Sequence, residues 1–413
     1  MFEFGRDLRK LFAQARETED LGWVELIGVD LLHSEARRES IDAGRVSCAR
    51  PFETERRAAA LWREHARRSG AADSLDRAER AVDSLARAAT THDQKALAVV
   101  ERALTLTLRF DLQGDTRRLH EASRAIEAVG KPHRGWVAME ATAAHAMISA
   151  RQARLSGDAK QLLDASALLD AATHAASDKA LPMADELRLE RAALGLEVGV
   201  LNRDGRLLDQ AGRDLSALAD RLSPDQRPLG RARVLALCGA GLSALATAAG
   251  HPEAHAQGRL MFQAAAEQFT PDHSPLDWVA IQVAQAAHGE VDLMTLIQAE
   301  ALTEGRSLVL GALVRERRLA REVALAQAVA DRAGLDQLES RVLQRLPTSH
   351  HAPLDWAADQ LGMARIALAR RDLGGPEPVA LNLILAEAEG VAVEMGVPAL
   401  AALAGQIRRE AGR

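Results

Sequence analysis

The chain runs to 413 residues, 47% of them hydrophobic, which is enough to bury a sizeable core and excludes wholesale disorder. Its formal net charge of −6 interleaves 52 Lys and Arg with 58 Asp and Glu, so it lacks the basic surplus of a nucleic-acid binder. Aromatic residues make up only 3% and Tyr is absent, while the helix formers Ala and Leu dominate. Two cysteines, Cys48 and Cys238, imply neither a disulfide framework nor a metal site by themselves. The charged start, Met1-Phe-Glu-Phe-Gly-Arg-Asp, lacks the apolar stretch of a secretory leader, and no window holds 18 uninterrupted apolar residues. The expectation is a cytoplasmic protein without a transmembrane span.

From the N-terminus, residues 1–50 read as capping or docking helices, one over 2–17 and another over about 20–36. Phe2, Phe4, Leu8, Leu11 and Phe12 make an apolar stripe there, beside Arg6, Arg9 and Lys10. A cap on the first repeat, a partner-docking helix and a membrane-surface helix all fit that pattern. Helix pairs follow at about 53–88, 93–129, 133–176, 183–222 and 229–269, so 51–289 reads as a repeat region. The stretch 276–340 is too long for one pair, and 290–352 reads as a degenerate repeat or extra helices. Residues 353–413 read as a C-terminal repeat and cap, with helices over 354–410.

Two interleaved beats carry the repeat. In the first, a Gly is followed by Leu and then Ala at fixed offsets: Gly70, Leu75, Ala78; Gly114, Leu119, Ala122; Gly157, Leu162, Ala165. A fourth copy, Arg203-Asp-Gly-Arg-Leu-Leu-Asp-Gln-Ala, keeps Leu208 and Ala211, with its Gly displaced by two places. In the second beat, Pro132, Pro182, Pro228 and Pro275 each precede a long Ala/Leu-rich stretch. Pro suits the first turn of a helix and Gly its exit, so each period of about 45 residues reads as Pro, helix, Gly turn, helix, loop.

The segments Pro275-Leu-Asp-Trp278-Val-Ala and Pro353-Leu-Asp-Trp356-Ala-Ala are nearly the same, and the second continues to Leu361-Gly362 and Gly374-Gly375. Pro132 with Trp136 is a looser copy. The pattern resembles the long-period bacterial variety of tetratricopeptide repeat, in which Pro-Leu-x-Trp opens the first helix and a Leu-Gly pair lies within it. The chain departs from that family at positions usually held by Tyr, here Ala or Leu, and in a period longer than the usual 34 or so residues. The resemblance implies an all-α fold, a right-handed solenoid of antiparallel helix pairs. It also implies a concave face suited to a peptide or helical segment of a partner protein. Trp136, Trp278, Trp356 and Gly362 would then be packing devices, the Trp filling a junction and the Gly allowing close approach.

Catalytic patterns are absent or incomplete. His251 and His255 stand four apart, but Pro252 lies between them and no third ligand follows. His350-His351 lies in a loop between Pro347 and Pro353. Gly241-Leu-Ser243-Ala-Leu245 misses the closing Gly of a nucleophile elbow and has no strand before it. The run Arg315-Glu-Arg-Arg-Leu-Ala-Arg321 mixes Glu among its Arg residues and reads as a salt-bridged face. The expectation is a non-catalytic scaffold or adaptor with no cofactor and no metal. The alternative is a regulatory repeat protein that senses a ligand or peptide, and an all-α enzyme has no residue pattern in its favour.

Overall fold

In the computed structural model the described residues are 21–130, 132–177, 180–250, 252–287, 291–346 and 351–412, and all their regular structure is helical. A 3-10 turn, Gly22–Leu26, leads into α1 (Val29–Ala43). Five long pairs follow. They are α2 (Pro51–Ser69) with α3 (Ala72–Ala88), α4 (His92–Gln113) with α5 (Thr116–Glu127), and α6 (Gly135–Ser156) with α7 (Ala159–Ala176). Next come α8 (Leu181–Asn202) with α9 (Gly205–Arg221), and α10 (Pro228–Ala249) with α11 (Pro252–Gln268). The chain ends with α12 (Pro275–Ala286), α13 (Leu293–Thr303), α14 (Leu308–Ala328), α15 (Arg332–Arg345), α16 (Pro353–Asp372), α17 (Leu381–Glu394) and α18 (Pro398–Ala411).

Three expectations change. The helix expected over about 20–36 is divided at Gly28, which caps α1 in extended backbone. A Cβ there would lie 3.2 Å from the carbonyl oxygen of Asp272, so the chain bends where the α11–α12 loop presses on it. The long unit at 276–340 resolves into two pairs, α12/α13 and α14/α15, and the unit at 354–410 into three helices. The helix expected over 2–17 lies outside the described residues, as do His251 and His350.

The turns inside α4/α5 and α6/α7 are Gly–Asp hinges, and the α2/α3 turn keeps the glycine with Ala71 in the Asp place. Gly70, Gly114 and Gly157 close α2, α4 and α6 in the left-handed region. At Gly70 and Gly114 space demands glycine as well, because a Cβ would lie 2.7 Å from Arg306 Cβ or 2.6 Å from the Met395 carbonyl oxygen. After Gly114 and Gly157 the next residue caps the second helix: Asp115 accepts from Arg117 N, and Asp158 from Gln161 N at 2.9 Å. Aligned on its Asp204, the fourth copy has Arg203 in the glycine place, with φ 53°, while Gly205 is already inside α9.

The Leu and Ala of the beat face the core. Leu75, Leu119, Leu162, Ala78, Ala122, Ala165 and Ala211 are buried, and Leu208 is half-buried. Even-numbered helices touch one another along α2–α4–α6–α8–α10 and along α12–α14–α16–α18, whereas each odd helix packs on its neighbours in sequence. An array with one layer touching and the other splayed curves towards the touching layer, so the even helices form the inner face. By α12 the chain has come round upon itself: α12 packs on α2, and α14 on α4. The inner helix α10 is long and apolar enough to cross a membrane by length and composition, and here it is packed between α8, α9 and α11. Gly239 and Gly258 bring α10 and α11 into close contact.

Arg203 is exposed, so its side chain contributes little while its backbone stays strained. Arg203→Gly should raise stability by about 0.5–1 kcal/mol. The readout is a higher urea midpoint at unchanged slope, and a lower midpoint would rule the strain out.

Candidate functional site

The inner face is polar. Going round from α2, Arg56 donates to Glu101 on α4 at 2.9 Å and also bonds Glu140 on α6, while Arg63 reaches the other oxygen of Glu101 at 2.5 Å. Arg151 on α6 donates to both oxygens of Asp111 on α4 at 3.0 Å. Arg154, one turn on, pairs with Glu190 and with Glu197 of α8, the latter at 2.7 Å. From α2 to α8 each even helix is thus tied to the next by guanidinium–carboxylate pairs, which are bidentate or charge-assisted and help set the spacing of the layer.

A second cluster joins the ends of the winding. Arg67 donates to Glu64 at 2.8 and 2.9 Å and to both oxygens of Asp277 in the first turn of α12, each at 3.1 Å. Arg233 of α10 approaches the same carboxylate at 3.6 Å. Arg68, fully buried, donates to the carbonyls of Val24 and Ile27 and to Glu64. Glu25 accepts from Arg227 at 2.6 Å and from the free Gly230 N–H at the start of α10, 2.8 Å away. Ser307 donates to the Leu112 carbonyl at 3.1 Å, sealing α14 on α4. These contacts were not readable from the sequence, because nothing local marks Arg67 for a partner 210 residues away.

The electrostatics follow from this crowding. Burial works to raise the Glu64 carboxyl, but Arg67 and Arg68 together overturn it and hold the group below its ordinary range. The same balance, burial outweighed by facing Arg residues, depresses Glu101, Glu190 and Asp277. Glu186 of α8 behaves differently. Desolvation by the helices crowded around it pushes its carboxyl up, helped by Glu64 and Glu25 and opposed by Arg233 and Arg227. Its interactions with these neighbours are through space, and its side chain remains open to solvent, so the inner face is wet at this point.

The other residues singled out in the sequence take varied places. Trp278 and Trp356 are half-buried against core clusters, and Gly362 lets Leu319 approach to 2.6 Å from where a Cβ would stand. Trp136 is 40% exposed at the start of α6, with the Arg56 guanidinium 5.9 Å from its ring centre, so it covers an ion pair and does not fill a helix junction. The fully buried tryptophan is Trp62, in a ring cluster with His33 and His65, which the repeat pattern did not flag. Phe2, Phe4, Leu8, Leu11 and Phe12 lie outside the described residues. Ser243 is buried within α10, in a helix where no nucleophile elbow can form. Of the basic run, Arg315 and Arg318 are held by Glu300, Arg315 also by Asp355, and Glu316 is bound by Arg365 at 2.9 Å. Among the described residues no group of three His, Cys, Asp or Glu is placed to hold a metal ion.

No protein-family pattern matches the chain, and no curated protein matches it. Among solved structures it is similar to one described as "Circular tandem repeat protein with novel repeat topology and enhanced subunit contact surfaces". That match has 13% identity, 93% of this chain and 95% of the other covered, and a TM-score of 0.23.

Two tests follow from the charges. Asp277→Asn leaves Arg67 and Arg233 without their shared carboxylate and should cost about 3 kcal/mol by urea unfolding. A loss under about 0.5 kcal/mol would show that the junction is not held by charge. His65, whose ring is pushed down to about 4 by burial and by His33 and Arg68 against Asp30 and Asp73, gives a pH signature. A histidine kept neutral in the fold contributes stability above its unfolded pKa, and that stability is lost as pH falls from about 6.5 to 4. The native chain should therefore lose about 2 kcal/mol between pH 7 and pH 5. His65→Gln should flatten that interval, and an unchanged slope would assign the loss elsewhere.

Proposed function

We propose that the chain is a non-catalytic scaffold of the tetratricopeptide-like kind, a right-handed solenoid with a period near 45 residues that holds a peptide or helical segment of a partner on its inner face. The observation that carries this reading is Glu186. Most inner-face charges are matched by a neighbouring helix, but this carboxylate is solvent-open, crowded and without an ion pair among the described residues. A basic side chain of a bound segment would supply the missing counter-charge, and the ladder of paired Arg and Glu around it would offer hydrogen bonds without large rearrangement.

The test compares two surfaces. Glu186→Lys and the milder Glu186→Gln should abolish or sharply weaken the set of proteins retained from native lysate, with the helical circular dichroism unchanged. Reversal of an outer-face charge, Arg213→Glu, should leave retention as it was. Equal retention by all three variants would sink the assignment to the inner face.

A further inference from the structure

The basic run of α14, Arg315 to Arg321, is only half paired. Arg315 is met by Glu300 and Asp355, and Arg318 by Glu300. On the next inner helix, α16, Arg365 takes Glu316 and Glu410, and Arg370 takes Asp336 and Glu339. Arg317 and Arg321 are the exceptions. Both are half-buried, and the Nε of each is sheltered from water without a hydrogen bond. Arg317 reaches Glu316 only at 3.7 Å, and that carboxylate is already held by Arg365 at 2.9 Å. Arg321 has no ion pair among the described residues. Burial pushes the Arg317 guanidinium below its ordinary range, against the pull of Glu316 and with help from Arg365. An unmatched cation drawn partly out of water is unfavourable, and an anion brought to it relieves that cost.

The two side chains share a stripe of α14. Leu310, Val314, Arg317 and Arg321 follow one another at steps of three and four residues, so they lie along one face. The first part of that face packs on α12: Leu310 shares a cluster with Leu276, and Val314 with Val279. The two helices therefore run side by side in the same direction. From Val279 the last residue of α12, Ala286, is about 10 Å on, and the same distance from Val314 reaches Arg321. α12 thus ends level with the arginine pair. Past that level Ala324, Leu325 and Ala328 are exposed, so the pair stands at the edge of a step in the inner layer. Arg317 and Arg321 are one turn apart, about 6 Å along the axis, which lets both guanidinium forks grip one small anion.

We propose that Arg317 and Arg321 form a binding site for a doubly charged oxyanion, a phosphate group, at the step where α12 ends. Two unmatched guanidiniums call for two negative charges, and their planar forks donate in pairs to phosphate oxygens. A carboxylate brings one charge and leaves half of the pair unmatched. The site lies on the later winding of the chain and does not depend on what Glu186 binds.

Titration calorimetry of the full-length chain at fixed ionic strength tests this, with inorganic phosphate, phosphoserine and acetate as probes. Phosphate should bind saturably at a single site, and acetate at least about ten times more weakly. Arg317→Gln and Arg321→Gln should each weaken phosphate binding at least about tenfold, the effect of losing one charge-assisted contact. Arg213→Gln on the outer face should leave it unchanged. Helical circular dichroism checks that each variant folds. Phosphoserine binding more tightly than phosphate would assign a phosphoryl group carried on a larger molecule, and weaker binding would assign the free ion. The absence of saturable phosphate binding would overturn the proposal. So would inner-face variants that bind phosphate as the native chain does. A lower urea midpoint in such variants would then make the pair a counter-charge to the C-terminal end of α12.

Discussion

Arg67 stands between two carboxylates, Glu64 on its own helix and Asp277 on a helix 210 residues away, and the winding of the chain depends on that bridge. Two helix ends meet there. Arg67 and Arg68 lie in the last turn of α2, where the helix dipole favours positive charge, and Asp277 lies in the first turn of α12, where it favours negative. The ion pair therefore joins the two dipoles head to tail, each side chain at the end that suits it. Around it Leu276 and Leu310 pack with Ala66, Leu75, Leu108 and Leu112, so charge fixes the register and apolar area supplies most of the adhesion. Glu25 repeats the device at the start of α10, where it satisfies a free backbone N–H as well as Arg227.

That closure decides what the inner face can be. Where the even helices pack together, many of their polar side chains pair across the layer. Arg56, Glu101, Arg151 and Glu190 serve as spacers between helices more than as free binding groups. Any ligand chemistry is left to groups outside those pairs, which is why a lone solvent-open carboxylate such as Glu186 weighs more in the reading than the whole ladder around it.

The helical class and the paired layout were legible in the sequence, because they rest on local signals. Gly at a helix exit, Leu and Ala at helical spacing and Pro at helix starts each act within one turn. What misled was also local. The displaced glycine of the fourth copy drew attention from Asp204, the residue that marks the hinge, and so from the strained Arg203 before it. Trp136 shares a motif with Trp278 and Trp356 but meets an ion pair where they meet apolar side chains, and no pattern within one repeat specifies what the next repeat presents. The junctions between first and later helices, and with them Arg67, Glu25 and Ser307, were illegible for the same reason. Each is a side chain of common type whose partner is chosen by the winding. Gly70 and Gly114 carried half of that information, since both lie under the later turn, but their positive φ accounts for them equally well.

An open helical array is held by nearest neighbours alone and can grow or fray one unit at a time. The contact of α12 with α2 removes that freedom. Loop closure over so many residues must be met before the contact rewards it, which slows folding and couples the two ends of the span into one cooperative unit. On the ribosome, about two-thirds of the chain must emerge before Asp277 can reach Arg67. Until then the basic end of α2 and the apolar side chains beside it stay uncovered, a transient exposure of the kind that chaperones shield in unfinished chains.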